Sequence, residues 1–239
     1  MPKNKIFICI PTYNEADNIV TLLQKIEKVT KEIKKFNIEV IVIDDNSPDG
    51  TAQKVEQFKS SLAVHIINNK SKSGLGAAYI KAFKYALKEG AYAICQMDAD
   101  HSHNPLHLIE IAKHIEDHDF IIGSRYIKDG KILNWNLLRR GISRYGNLYS
   151  QIILGIGIND LTGGYNCWRD YVLKKVDLDG IQANGFFFQI ELKFKALKDG
   201  FRTKEVPIIF KDRELGQSKF GANIFKEALI KPWSLKFKK

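Results

Sequence analysis

No apolar run in this 239-residue chain approaches the ~20 residues that carry a helix across a bilayer, so we expect no membrane span. Cysteine is scarce: Cys9, Cys95 and Cys167 are odd in number, far apart and never in a Cys-x-x-Cys pair. They exclude a disulfide framework and read as small buried hydrophobes in a reducing compartment. Six prolines and 17 glycines leave no room for a long low-complexity segment, and no repeat runs along the chain. No Gly-x-Gly-x-x-Gly or Gly-x-x-x-x-Gly-Lys-Ser/Thr loop follows the first strand, which argues against a dinucleotide site or a P-loop. Acids are the scarcer charge, 27 against 37 Lys and Arg, for a net +10. That excess asks for an anionic partner: nucleic acid, an acidic membrane surface or a phosphorylated substrate. The interleaved aromatic and basic pattern of RNA binders is missing, as is a helix-turn-helix signature, and we expect no nucleic acid. The amino end runs straight from Met1 into a strand, so we expect no signal peptide and a cytosolic protein.

What is present fits one sizeable α/β domain with a small appendage: 44% hydrophobic and 27% charged residues over this length. Strands are read at Lys5–Ile10 (stopped by Pro11), Glu39–Ile43, Val64–Ile67, Ala91–Cys95 and Phe120–Ile122. Helical spacing joins Ile19, Leu22, Leu23, Ile26, Val29 and Ile33, then Ala77–Lys88, then Leu108, Ile111, Ala112 and Ile115 after an Asn104-Pro105 start. Alternating strands and helices predict a doubly wound, mostly parallel sheet. Beyond Tyr126 the rhythm changes to a polar loop, a helix over Leu137–Leu154, a helix through Gln189–Glu191 and a strand around Val206–Phe210. We place a domain at 1–210 and a basic amphipathic segment at 211–239. In that segment Phe220, Ile224 and Ala228 share a helical face, with Phe225, Leu229 and Trp233 nearby, as suits a membrane interface.

The chain is organised around Met97-Asp98-Ala99-Asp100. Two carboxylates spaced i, i+2 at the end of a buried strand repel each other unless a cation or a proton lies between them. A hard divalent ion bridging to phosphate oxygens is the usual answer, and ligands of open α/β sheets collect beyond the carboxyl ends of strands. Glu15, Asp44 and Asp45 end neighbouring strands, and Arg125 follows the fifth. Acids so placed can hydrogen-bond base and ribose groups while a metal and an arginine neutralise a diphosphate. His101 and His103 flank the pair and are read as exposed loop residues standing aside from it.

In order along the chain stand Pro11-Thr12-Tyr13-Asn14-Glu15, Asp44-Asp45-Asn46-Ser47-Pro48-Asp49-Gly50-Thr51, Met97-Asp98-Ala99-Asp100, Gly123-Ser124-Arg125-Tyr126, Asp160-Leu161-Thr162-Gly163-Gly164 and Arg213-Glu214-Leu215-Gly216-Gln217-Ser218-Lys219. Together they resemble family 2 glycosyltransferases, and within them the polyprenol-phosphate (dolichol-phosphate) mannosyltransferase branch. The resemblance implies a GT-A-type fold in which Pro11, Tyr13, Glu15, Ile43 and Asp45 hold guanosine. It implies that Asp98, Ala99 and Asp100 carry the metal (Mg²⁺ or Mn²⁺) and the donor. Arg125, Arg213 and Lys219 would meet donor and acceptor phosphates, and Arg139 and Ser143 the lipid phosphate. Some relatives carry Gln as a further metal-side ligand where this chain has Ser102. Others continue into transmembrane helices, so here a partner subunit or the tail would hold the protein on the cytoplasmic face of a membrane.

The implied reaction is metal-dependent, inverting transfer of mannose from GDP-mannose to a polyprenyl phosphate. Two rivals stand beside it: a UDP-glucose-dependent polyprenyl-phosphate glucosyltransferase, and a non-catalytic module that binds anionic surfaces.

Overall fold

The computed structural model describes residues 3–181, 183, 185, 187–212 and 222–237, with the side chains of 222–228 outside that description. The chain opens with β1 (Lys5–Thr12), α1 (Ile19–Thr30), β2 (Asn37–Asp44), α2 (Thr51–Glu56) and β3 (Ala63–Asn68). It continues through α3 (Leu75–Lys88), β4 (Ala93–Gln96), α4 (His107–His114), β5 (Phe120–Ser124) and β6 (Lys131–Leu133). The second half holds α5 (Leu137–Leu154), β7 (Asn166–Arg169), α6 (Asp170–Lys175), α7 (Phe187–Lys198), β8 (Thr203–Pro207), β9 (Ile209–Lys211) and α8 (Ala222–Phe237).

Seven strands form one sheet in the order β3-β2-β1-β4-β7-β5-β8, and β6 pairs with β9 in a separate ribbon. The pairs β1–β2, β1–β4, β2–β3 and β5–β8 are parallel, and β7 runs antiparallel to both of its neighbours. Side-chain alternation along each strand builds two cores. Ile6, Ile8, Ile10, Val40 and Val42 pack against α1 and α4 on one face. Phe7, Cys9, Ile41 and Ile43 pack against α3 and α7 on the other. Both faces of the central strands are therefore covered, which is why they read as unbroken apolar runs.

Three local expectations need correction. Pro11 does not stop the first strand, because β1 pairs with β2 through Thr12. Met97 N donates to the Cys9 carbonyl, so the odd residues of β1 face β4, and β4 ends before it can ask Pro11 for an N–H. The run around Val206–Phe210 is two strands rather than one: β8 stays in the main sheet, and β9 leaves it after Ile208 to pair with β6. Asn104-Pro105 makes a turn ahead of α4, Leu106 being the N-cap, with Asn104 Oδ1 accepting from Leu106 N at 3.1 Å.

The inserted β7 brings Trp168 into the core. Its indole is fully buried, stacks on Phe120 at 4.5 Å and donates Nε1 to Gln96 Oε1 at 2.9 Å. We predict that Trp168→Ala lowers the unfolding free energy by about 3–5 kcal/mol, the usual cost of emptying an aromatic site. A urea-denaturation midpoint that does not move would show that β7 is not part of the cooperative core.

Candidate active site at the carboxyl edge of the sheet

Three adjacent strands, β2, β1 and β4, end side by side, and each turns into its loop through a left-handed residue: Asn46 (φ 59), Asn14 (φ 61) and His101 (φ 62). Asparagine tolerates that region and histidine does so less readily, so the chain is held in a costly conformation along one edge. The loops that result carry the acids.

After β2, the two aspartates take different jobs. Asp44 accepts from Thr12 Oγ1 (2.9 Å), Ser47 N (2.8 Å) and Ser47 Oγ (2.6 Å), which closes its own turn. Asp45 faces the next loop, accepting from Asn69 Nδ2 (2.7 Å), Ser73 Oγ (2.8 Å), Ser73 N (3.0 Å) and Gly74 N (3.1 Å). Asp49 bonds to Ala16 N and to Thr51; burial works against its charge, but those hydrogen bonds hold its carboxyl below the usual carboxylate range. After β1, Lys72 Nζ lies 3.9 Å from the centre of the Tyr13 ring, and Glu15 accepts from Asn18 Nδ2 at 2.7 Å. Pro11 and Ile43 are partners in the β1–β2 register. The nucleoside-binding residues expected from the sequence thus lie along one rim.

After β4, Asp100 is buried and accepts from Ser102 Oγ (2.6 Å) and Ser102 N (3.1 Å), while Asp98 is partly exposed and Ala99 is buried between them. His103 is not the exposed loop residue expected. It is 2% exposed, stacks on Tyr165 at 4.8 Å, and its Nδ1 accepts from Asp98 N at 3.0 Å. An imidazole that accepts at Nδ1 carries its proton on Nε2, which lies 3.7 Å from Asp98 Oδ2. Burial pulls its pKa down against the nearby Asp98 and Asp100, favouring the neutral ring. His101 turns the other way, to Thr21 Oγ1 (2.9 Å) and Lys25 Nζ (3.4 Å) on α1.

Gly164 closes the space in front of these acids. A Cβ there would lie 3.5 Å from His103 Cε1, 3.6 Å from Gln189 Nε2 and 3.8 Å from Asp98 Oδ1. The bare backbone leaves a small cradle walled by a carboxylate, a neutral imidazole and an amide. The Asp98 carboxylate beside that cradle, with Asp100 two residues on, supplies hard oxygen donors of the kind that would hold Mg²⁺ or Mn²⁺. Among the described residues no three His, Cys, Asp or Glu side chains gather as a complete protein-only metal site. Ser102 at the Gln position agrees with that, its hydroxyl being given to Asp100.

Arg125 has a partner that the sequence did not announce. Its Nε and Nη2 meet the Asp160 carboxylate at 2.7 and 2.8 Å, and Nη2 also donates to Thr162 Oγ1 at 2.8 Å. Both residues of the pair are buried. Burial opposes each charge, but each holds the other ionised: Asp160 keeps the guanidinium pKa raised, and Arg125 keeps the carboxyl below its ordinary value. The rings of Tyr126, Phe210 and Trp135 lie 5.2, 5.4 and 5.8 Å from the guanidinium carbon. Next along, Arg139 stacks on Trp135 at 4.1 Å and bonds to Asp212 at 2.7 Å, and Ser143 accepts from Tyr126 OH at 2.7 Å. Arg213 and Lys219, expected on the acceptor side, lie outside the described residues.

From the sequence Asp160 was only the head of the Asp160–Gly164 motif, His103 stood aside from the acids, and Gln189 and Lys193 had no role at the site. The signal for the last two was there: Gln189 and Lys193 sit four apart in the Phe187–Phe194 run, whose other polar residue is Glu191, and α7 buries all three.

A family model for glycosyl transferase family 2 matches residues 7–177. The polyprenol monophosphomannose synthase of Mycolicibacterium smegmatis is 38% identical over 235 residues, covering 96% of this chain and 86% of that protein. The undecaprenyl-phosphate mannosyltransferase of Micrococcus luteus is 37% identical over 227 residues, covering 95% and 91%. Among solved structures, the glucosyl-3-phosphoglycerate synthase of Mycobacterium tuberculosis with Mn²⁺, UDP and phosphoglyceric acid superposes at a TM-score of 0.69 with 14% identity, covering 99% of this chain and 80% of that one. The mannosyltransferase PcManGT of Pyrobaculum calidifontis, solved with GDP-Man and Mn²⁺, gives 0.62 at 18% identity, covering 95% and 61%. At those identities the two structures speak to the shared GT-A-type fold alone. Family model and near-full-length relatives agree: the chain belongs to glycosyl transferase family 2.

Proposed function

We propose that this glycosyltransferase transfers mannose from GDP-mannose to a polyprenyl phosphate, with inversion at the anomeric carbon and in the presence of Mg²⁺ or Mn²⁺. The observation that carries the reading is the Asp98–Asp100 pair at the end of β4, with the bare backbone of Gly164 beside Asp98. The names of the two near-full-length relatives support the acceptor class and the sugar. The two solved neighbours, both with Mn²⁺ and one with GDP-Man, support a metal and this donor.

Each residue then has a task. Asp45, fixed by Asn69 and Ser73, orients the nucleoside, with Pro11, Tyr13, Glu15 and Ile43 along the same rim. Asp98, Ala99 and Asp100 would hold the cation and the diphosphate, and the cation would supply positive charge against that developing on the departing nucleotide. Asp160 grips Arg125 by its Nε and Nη2 edge, so the Nη1 edge is left to meet a phosphate. The acceptor is a phosphate monoester, already anionic at neutral pH, and needs no general base to become a nucleophile. It needs cations to bring one anion up to another, and we assign Arg139, Ser143, Arg213 and Lys219 to that work.

The lipid also needs a surface from which to arrive. Helix α5 is inverted: Asn147 and Ser150 are buried, while Leu138 (73%), Tyr145 (74%) and Ile152 (70%) stand out in water with Ile142 on the same stripe. Helix α8 lies against it, with Trp233 Nε1 donating to Tyr149 OH at 2.9 Å and Tyr149 OH donating to the Leu229 carbonyl at 2.8 Å. Its own Leu229, Trp233 and Phe237 extend the exposed apolar strip, and Arg140, Arg144 and Lys236 are exposed beside it. No helix among the described residues is long and apolar enough to cross a membrane. We read the α5–α8 face, with the 211–239 segment, as lying on an anionic bilayer at the cytoplasmic side.

Incubation with radiolabelled GDP-mannose, polyprenyl phosphates and divalent metal should move label into organic-phase lipid. Transfer from UDP-glucose in its place would select the rival donor. Asp100→Asn should fold normally and lower turnover by about a hundred- to a thousandfold, the usual loss when one electrostatic contact to developing charge is removed. Near wild-type turnover by that variant would remove Asp100 from the metal site. Leu138→Glu with Ile152→Glu should cut flotation with anionic vesicles by at least about tenfold. It should spare transfer to a detergent-dispersed short-chain acceptor, and unchanged flotation would place the membrane contact elsewhere.

A further inference from the structure

We propose that Lys193 is a positioning residue for the reaction, its ammonium group clamping the Asp160–Gly163 turn that sets Gly164 against the carboxylates after β4. The proposal rests on the reading of that acidic pair as the donor site. Lys193 is wholly buried on α7, and its Nζ donates to the carbonyls of Gly163 (2.8 Å), Asp160 (3.0 Å) and Leu161 (3.1 Å). An ammonium has three N–H donors and all are used here, each on the backbone of one turn. That turn presents the Asp160 carboxylate to Arg125, and Gly163 N closes on Asp160 Oδ1 at 2.9 Å. The next residue, Gly164, is the wall of the cradle shared by Asp98, His103 and Gln189. Gln189, one helical turn before Lys193, accepts from Asn166 at 3.1 Å, so α7 grips both ends of the same loop.

The clamp depends on the proton that makes the third donor. Burial lowers the Lys193 pKa to about 7; Asp160 after α5 and Glu205 on β8 pull it up, and Arg125 after β5 pushes it down. As pH rises through that value the neutral amine keeps two donors for three carbonyls, and the turn loses a tether. The fold does not weaken with it. Between the folded value and the unfolded lysine value of about 10.4 the unfolded chain binds the extra proton, so this group's contribution to stability increases with pH.

The test uses the full chain at pH 6 to 9.5. Wild-type kcat for mannosyl transfer should fall by about tenfold across an alkaline limb that is the same with Mg²⁺ and Mn²⁺, while the thermal midpoint is not lowered. Hydrogen exchange of the 160–165 segment, corrected for its intrinsic base-catalysed rate, should rise over the same range. Lys193→Met should show a low kcat without the limb, a donor KM close to wild type and fast exchange at every pH. Wild-type kcat and limb in Lys193→Met would overturn the proposal, as would flat exchange of the segment in the wild type, which decides alone if the variant does not fold. A wild type with no mannosyl transfer refutes the donor-site reading instead, and the exchange profile still judges the clamp.

Discussion

The Asp98 and Asp100 carboxylates stand two residues apart at the end of a strand buried on both faces, and like charges so close must be kept apart or bridged. Much of the polar structure nearby follows from that. Ser102 satisfies one oxygen of Asp100 with two hydrogen bonds. A neutral His103 fixes the Asp98 backbone and turns an N–H toward its carboxylate. Around them the buried charges are matched: Asp160 with Arg125, and Lys193 with backbone carbonyls. Asp98 is the more exposed member of the pair, and Gly164 brings bare backbone up beside it.

Beyond Arg125 the chemistry changes from acids to cations and then to exposed apolar residues. Such an order suits a reaction in which both the leaving group and the nucleophile are anions and one of them is tethered to a lipid. Trp135 stands between Arg125 and Arg139, and Phe210, 5.4 Å from the Arg125 guanidinium, also meets the His103 ring at 5.6 Å. The β6–β9 ribbon is therefore a physical link between the acidic cradle and the helix that carries the apolar stripe. Lys211 N reaches the Ser102 carbonyl at 3.4 Å, which ties that ribbon to the loop of the acids.

Elements whose apolar residues follow one period were legible in the sequence. The α5 helix was read at Leu137–Leu154, as found, because eighteen residues without proline leave little choice. The first five strands were read from runs that both cores bury. β7 was missed because a four-residue strand has no period to show, and the β8–β9 break because one apolar run served two sheets. At the site, the acids were visible since carboxylates at strand ends are rare without a reason. Asp160 showed only as the head of a motif, and its pairing was hidden because Arg125 lies 35 residues away and only the antiparallel return of β7 brings them together. The inverted face of α5 was hidden for a similar reason: nothing local says that Asn147 points inward to the Leu161 and Thr162 amides while Tyr145 points out.

The proposed reaction depends on a cation at the end of β4. The most direct measurement is anomalous scattering from crystals of the full chain soaked with Mn²⁺ and GDP-mannose. We expect one strong peak between the Asp98 and Asp100 carboxylates and the donor diphosphate, absent from Asp100→Asn crystals soaked alike. A manganese ion bound elsewhere, with the nucleotide lying in the acidic edge without it, would contradict the account.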